Sequence, residues 1–137
     1  MDTLIPKELL EAYRNTQFMV FSPAITIRIG EISESLERLL IAKGIREWVY
    51  ITSINPYSRI HSKEENEQFF EALKEDVSPY TNYLGEGVGT DPDWEAEKSL
   101  LILGIEREKA IELGKKYGQN AIVFGEAGGE AELLLLR

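Results

Sequence analysis

A chain of 137 residues fits one domain with a proper core and leaves no room for two ordinary ones. Its 43% apolar and 28% charged residues exclude a disordered chain, and the lack of cysteine excludes disulfides, thiolate metal sites and a cysteine nucleophile. A net charge of −9 and a pI near 4.7 argue against a nucleic-acid duplex as partner, since phosphate binding rests on clustered Lys and Arg. No run approaches the ~20 apolar residues of a membrane span, and the opening residues 1–7 carry neither the basic nor the apolar region of a leader. The expected compartment is the cytoplasm.

Leu9, Leu10 and Tyr13, with Pro6 suited to a first turn, predict a short helix over 6–15. Residues 17–21 and the alternating Ile25, Ile27 and Ile29 predict strand, with Ser22-Pro23 either bending one strand or separating two. Ser33 is placed to cap a helix over 34–43 with Leu36, Leu39 and Leu40 on its apolar stripe, and Gly44 to stop it. The β-branched and aromatic run 48–54 is apolar at most positions, which predicts a central strand.

Ser62-Lys-Glu-Glu65 matches a capping box, opening a helix whose Phe69, Phe70, Leu73 and Val77 face the core before Pro79 closes it. Residues 80–93 begin as a possible strand and dissolve into a glycine-rich loop, of the kind that is often functional. Residues 99–103 predict another buried strand, 106–117 a helix ended by Gly118, and 121–124 with 131–136 an antiparallel hairpin around Gly128-Gly129. The expectation is one α+β domain over 1–137: a mixed sheet of about five strands, three to four helices and a C-terminal β-hairpin. The leucine-rich last strand is suited to an exposed edge, which leaves a homodimer open.

Polar chemistry concentrates in the strand-to-helix turn 51–66. Thr52, Asn55, Ser58 and Asn66 either satisfy the backbone there or form a polar cradle for a small ligand, helped by helix N-terminal amides. Arg59 would supply charge to an anion, or simply be solvated. His61, the sole imidazole, lacks the orienting group of a triad, and no Gly-x-x-x-x-Gly-Lys-Ser/Thr run is present. Asp91, Asp93, Glu95 and Glu97 alternate and would project to one side of an extended chain. A divalent cation at Asp91 and Asp93 is one reading, but a solvated loop is favoured and no cofactor is expected. Glu97, beside a buried strand, is the carboxylate to choose as a site residue and as an acid or base if any reaction occurs. Gln119 either caps a strand or reads a ligand's donor and acceptor, and Trp94 either anchors the glycine-rich loop or stacks as a lid.

Tyr13 with Thr16, Ile51-Thr-Ser-Ile-Asn-Pro-Tyr-Ser58, Glu65-Asn66, Gly87 with Asp91, Trp94, Glu97-Lys-Ser99 and Tyr117-Gly-Gln-Asn-Ala-Ile122 form an ordered set. In that order the chain resembles a bacterial family, domain of unknown function 3293, over nearly its whole length. Ser53 stands where the family commonly has alanine, and Lys98 where it often has proline. The resemblance implies a site without naming a substrate.

The leading expectation is a domain binding a small, possibly nucleotide-like metabolite through Thr52, Asn55, Ser58, Arg59, Asn66, Glu97 and Gln119, with loop 85–93 closing over it. The other is an acidic interaction module, inhibitor- or antitoxin-like, masking a basic protein through Glu64, Glu67, Glu71 and Glu75 on one helix face.

Overall fold

A computed structural model describes residues 5–91, 93 and 95–136. Helix α1 (Lys7–Arg14) leads into strands β1 (Gln17–Val20) and β2 (Ile25–Ile27), then helix α2 (Glu34–Lys43) and strand β3 (Glu47–Ile51). A tight turn at Pro56–Ser58 precedes helix α3 (Lys63–Asp76) and strands β4 (Thr81–Val88) and β5 (Glu97–Leu103). Helix α4 (Arg107–Lys116) and strands β6 (Ala121–Glu126) and β7 (Glu132–Leu135) complete the chain. Among the described residues the sheet has seven strands in the order β2-β1-β4-β5-β3-β6-β7, and all its strand pairs are antiparallel.

The expected mixed sheet of about five strands is therefore corrected on count and on direction, within the same α+β class and with the C-terminal hairpin present. Two local features account for the shortfall. Ser22-Pro23 separates two strands that fold back on each other, Phe18 pairing with Ile27. The stretch expected to dissolve into loop runs on as β4 through Gly85 and Gly87 to Val88, because its neighbours β1 and β5 supply ladder partners on either side.

The apolar run of β3 is explained by burial on both faces. Val49 and Ile51 pack under α3 and α4 with Phe70, Leu73, Ala110 and Phe124, while Trp48 and Tyr50 join Leu36 and Leu40 of α2 on the other side. Fully burying an aliphatic or aromatic side chain of this size contributes roughly 1.5–3 kcal/mol. Beyond β2, Ile29 bridges Ala131, and Gly30 N donates to Ala131 O at 2.8 Å. The two ends of the strand order thus approach each other, and the sheet curls around α2. The last strand, β7, lies at one end of that order.

The helix ends are set by local chemistry. Ser33 Oγ accepts from Leu36 N, and Gly44 closes α2 in the left-handed conformation. Ser62 and Glu65 form the reciprocal capping box of α3. No helix of the described residues is long and apolar enough to cross a membrane. The leader reading at residues 1–4 and the readings of Trp94 lie outside the described residues.

The C-terminal ends of α3 and α4 are tied by Asp76, whose Oδ2 accepts from Lys116 Nζ at 2.6 Å and from the Tyr117 hydroxyl at 2.5 Å. The Lys116 hydrogen bond first and the Tyr117 hydroxyl second hold the Asp76 carboxyl below its ordinary range. A depressed carboxyl adds stability that is present above its unfolded value, near pH 4, and is lost as pH falls through the folded value. Urea unfolding between about pH 2 and 7 should therefore show a shallower acid limb for Asp76→Asn than for wild type. Identical limbs would remove Asp76 from the acid response.

Candidate functional site

The turn after β3 is built around one side chain. Asn55 takes up φ 49°, in the left-handed region that asparagine tolerates better than most residues. Its Oδ1 accepts from His61 N at 3.0 Å and from Asn66 Nδ2 at 3.0 Å, and its Nδ2 donates to Glu97 Oε2 at 3.1 Å. Asn66 answers by accepting the Asn55 backbone N–H at 2.9 Å. One asparagine thus ties the turn, the first residues of α3 and the start of β5 into a single unit.

Tyr57 and Ser58 follow at φ 60° and 58°, a backbone conformation that costs non-glycine residues about 1 kcal/mol or more each. The loop after α4 holds them there. Tyr57 N donates to Gly118 O at 2.7 Å, and Asn120 Nδ2 donates to Ser58 Oγ at 2.7 Å. At Gly118, itself at φ +64°, a Cβ would lie 2.9 Å from Pro56 Cβ, so only glycine lets the two loops touch. Gln119 Nε2 donates back to Ile54 O at 3.3 Å and to Tyr117 O at 3.2 Å.

Beside this turn a cavity of about 390 Å³ opens on the inner face of the curled sheet, within the roughly 300–1,000 Å³ range of small-molecule sites. Helix α1 lies across it with Leu9, Ala12 and Tyr13, and none of that helix is fully buried. Phe18 and Tyr50 meet edge to face at 5.4 Å and form an aromatic wall. On β5, Glu97 and Ser99 occupy the same alternate positions as the inward Leu101 and Leu103.

The floor is bare because of β4. Gly85 and Gly87 alternate at the end of β4 and Gly89 follows it, so beyond Tyr83 this face of the strand carries no side chain. At Gly85 the reason is contact: a Cβ would sit 1.9 Å from Met19 O and 3.0 Å from the Tyr50 hydroxyl, which donates to that same Met19 O at 2.8 Å. Burial above all pushes that phenol's pKa up, so it stays a donor at neutral pH. Gly87 is a different case. Its φ is not positive, and a Cβ there would meet only Thr16 Cγ2 at 3.7 Å and Phe18 Cδ1 at 3.9 Å. Neither conformation nor crowding demands glycine at 87; its absent side chain leaves space.

Of the residues singled out in the sequence, Thr52, Asn55, Ser58, Glu97 and Gln119 line this cavity, and Asn66 holds Asn55 from outside it. Arg59 is exposed and lines neither this cavity nor the open hollow of about 590 Å³ on the far side of Asn55 and Glu97. Asp91 lines the cavity and Asp93 the hollow, and among the described residues no three His, Asp or Glu side chains gather to hold a metal. The α3 N-terminus, expected to lend free amides, is closed by its own capping box. Ser53 is buried but away from the cavity lining. Reasoning from the sequence missed Phe18, Tyr50, Ser99 and the contribution of α1 as site residues. The period-two glycines of 85–89 are the signal in the sequence that marks this face.

No curated protein and no solved structure matches this chain. A family model does match, that of the protein of unknown function DUF3293, over residues 51–122. That span runs from the end of β3 to the start of β6 and contains Asn55, Asn66, Gly87, Glu97 and Gln119, with α1 lying before it. Since the match covers more than half of its residues, the chain belongs to the DUF3293 family.

Proposed function

We propose that this protein binds a small molecule in the cavity between α1 and the inner face of the sheet. The observation that carries the reading is Gly87: a strand glycine weakens its strand, and here neither backbone angle nor packing requires one. Space left open at a cost to stability, beside a turn holding two strained residues, is the pattern of a functional site. Hydroxyls and carboxamides predominate among the polar lining, and these orient ligands well but are poor acids and bases. Binding is the reading, with no reaction assigned to Glu97.

The test is a fragment titration followed by protein NMR. Indole-sized fragments should move the amides of Phe18, Tyr50, Gly87 and Ser99 together. A library that moves none of these, or only residues outside the cavity, overturns the proposal. The competing reading, an acidic face on α3 that masks a basic protein, draws on the exposure of Glu64, Glu67, Glu71 and Glu75. Salt separates the two, because an exposed electrostatic partner weakens steeply with ionic strength and an enclosed ligand does not.

A further inference from the structure

The hydrogen-bond polarity of the cavity wall restricts what can bind there. Five of its side chains already give their hydrogens to backbone carbonyls. Thr16 donates to Ala12 O at 2.6 Å, Tyr50 to Met19 O at 2.8 Å, Thr52 to Lys98 O at 2.6 Å and Ser99 to Glu97 O at 2.9 Å. Gln119 directs its amide nitrogen to Ile54 O and Tyr117 O. What such groups retain is acceptor capacity: hydroxyl lone pairs and a carboxamide oxygen. The Tyr13, Ser58 and Thr90 hydroxyls line the cavity as well, and the wall as a whole is richer in acceptors than in donors.

Charge points the same way. Glu97 and Asp91 line the cavity, and among the described residues its lining contains no Lys, Arg or His. Lys98, next to Glu97, alternates to the opposite side of β5 and lines the outer hollow. The Glu97 carboxylate, held by Asn55 at 3.1 Å, is an acceptor that brings negative charge to the cavity wall. The rings of Tyr13, Phe18 and Tyr50 complete a wall that suits an apolar body and attracts a cation to its faces.

Resting on the reading that this cavity is the binding site, we propose that its ligand is a small organic cation: an amine or amidinium carried on an apolar or aromatic body. The geometry disfavours a phosphate or carboxylate ligand, which would meet two carboxylates and more acceptors than donors.

The test uses three probes of one shape and different charge, tryptamine, tryptophol and indole-3-acetate, titrated near neutral pH into the labelled full chain and read at the Gly87 and Ser99 amides. Tryptamine is expected to bind about tenfold more tightly than tryptophol, and indole-3-acetate more weakly than both. In Glu97→Gln, whose carboxamide oxygen can still accept from Asn55, the advantage of tryptamine over tryptophol should fall to roughly threefold or less. Equal or tighter binding of tryptophol or indole-3-acetate to the wild type overturns the cationic ligand and leaves the cavity reading standing. An undiminished tryptamine advantage in Glu97→Gln also overturns it. If none of the three moves those amides up to its solubility, the cavity reading fails and the cationic ligand with it.

Discussion

Asn55→Ala should destabilise the protein by about 2.5–5.5 kcal/mol, read as the loss of unfolding free energy in urea. Three hydrogen bonds to the side chain disappear, from His61 N, from Asn66 Nδ2 and to Glu97 Oε2. Each contributes about 0.5–1.5 kcal/mol net, more where the abandoned partner is shielded from water. Alanine also tolerates φ 49° less well than asparagine does, which adds about 1 kcal/mol. Asn55→Gly separates these causes: it keeps the backbone at ease and loses the same bonds, so it should be milder than alanine by about 1 kcal/mol. Because the Asn66 Nδ2–Asn55 Oδ1 bond is lost in either single variant, the double alanine variant should cost less than the two single variants summed. A loss under about 1 kcal/mol for Asn55→Ala, or strict additivity with Asn66→Ala, would show that the turn is held by something else.

Gly87→Leu should remove ligand binding while leaving the fold intact. The new side chain starts 3.7 Å from Thr16 Cγ2 and 3.9 Å from Phe18 Cδ1, ordinary contacts, and projects into the space between α1 and the sheet. Replacing a strand glycine by leucine also reduces the freedom of the unfolded chain, so the melting temperature should not fall by more than about 3 °C. Fragments that bind the wild type should give flat titrations with the variant, and Gly87→Ala should lie between. Binding that survives in a folded Gly87→Leu protein would place the ligand elsewhere. The same change at Gly85 is a contrasting control: with Met19 O 1.9 Å from the ideal Cβ, it should disrupt the β1–β4 ladder itself.

Local signals were legible because their causes are local. Ser33, Gly44 and the Ser62–Glu65 box act within one helical turn, so residue type and spacing determine them and the structure agrees at each. The β3 run announced a strand covered on both faces, since only double burial supports continuous apolar residues. The 80–93 stretch shows the limit. Isolated glycines signal loop, but two ladder partners contributed by β1 and β5 outweigh that local preference and carry β4 to Val88. Phe69 marks another limit: apolar spacing placed it with Phe70 in the core, whereas it sits half-buried with its ring against His61.

The amino-acid sequence alone determined the α+β class, the helix ends and the cluster of polar residues around Asn55, because propensity, capping and turn chemistry act over a few neighbours. Tertiary structure decided the rest. Antiparallel pairing between strands distant in the chain set Glu97 opposite Gly87, and the curling of the sheet put Phe18 and Tyr50 behind the same opening that α1 covers. A cavity is the space left when distant surfaces fail to meet, and no short stretch of sequence encodes where that happens.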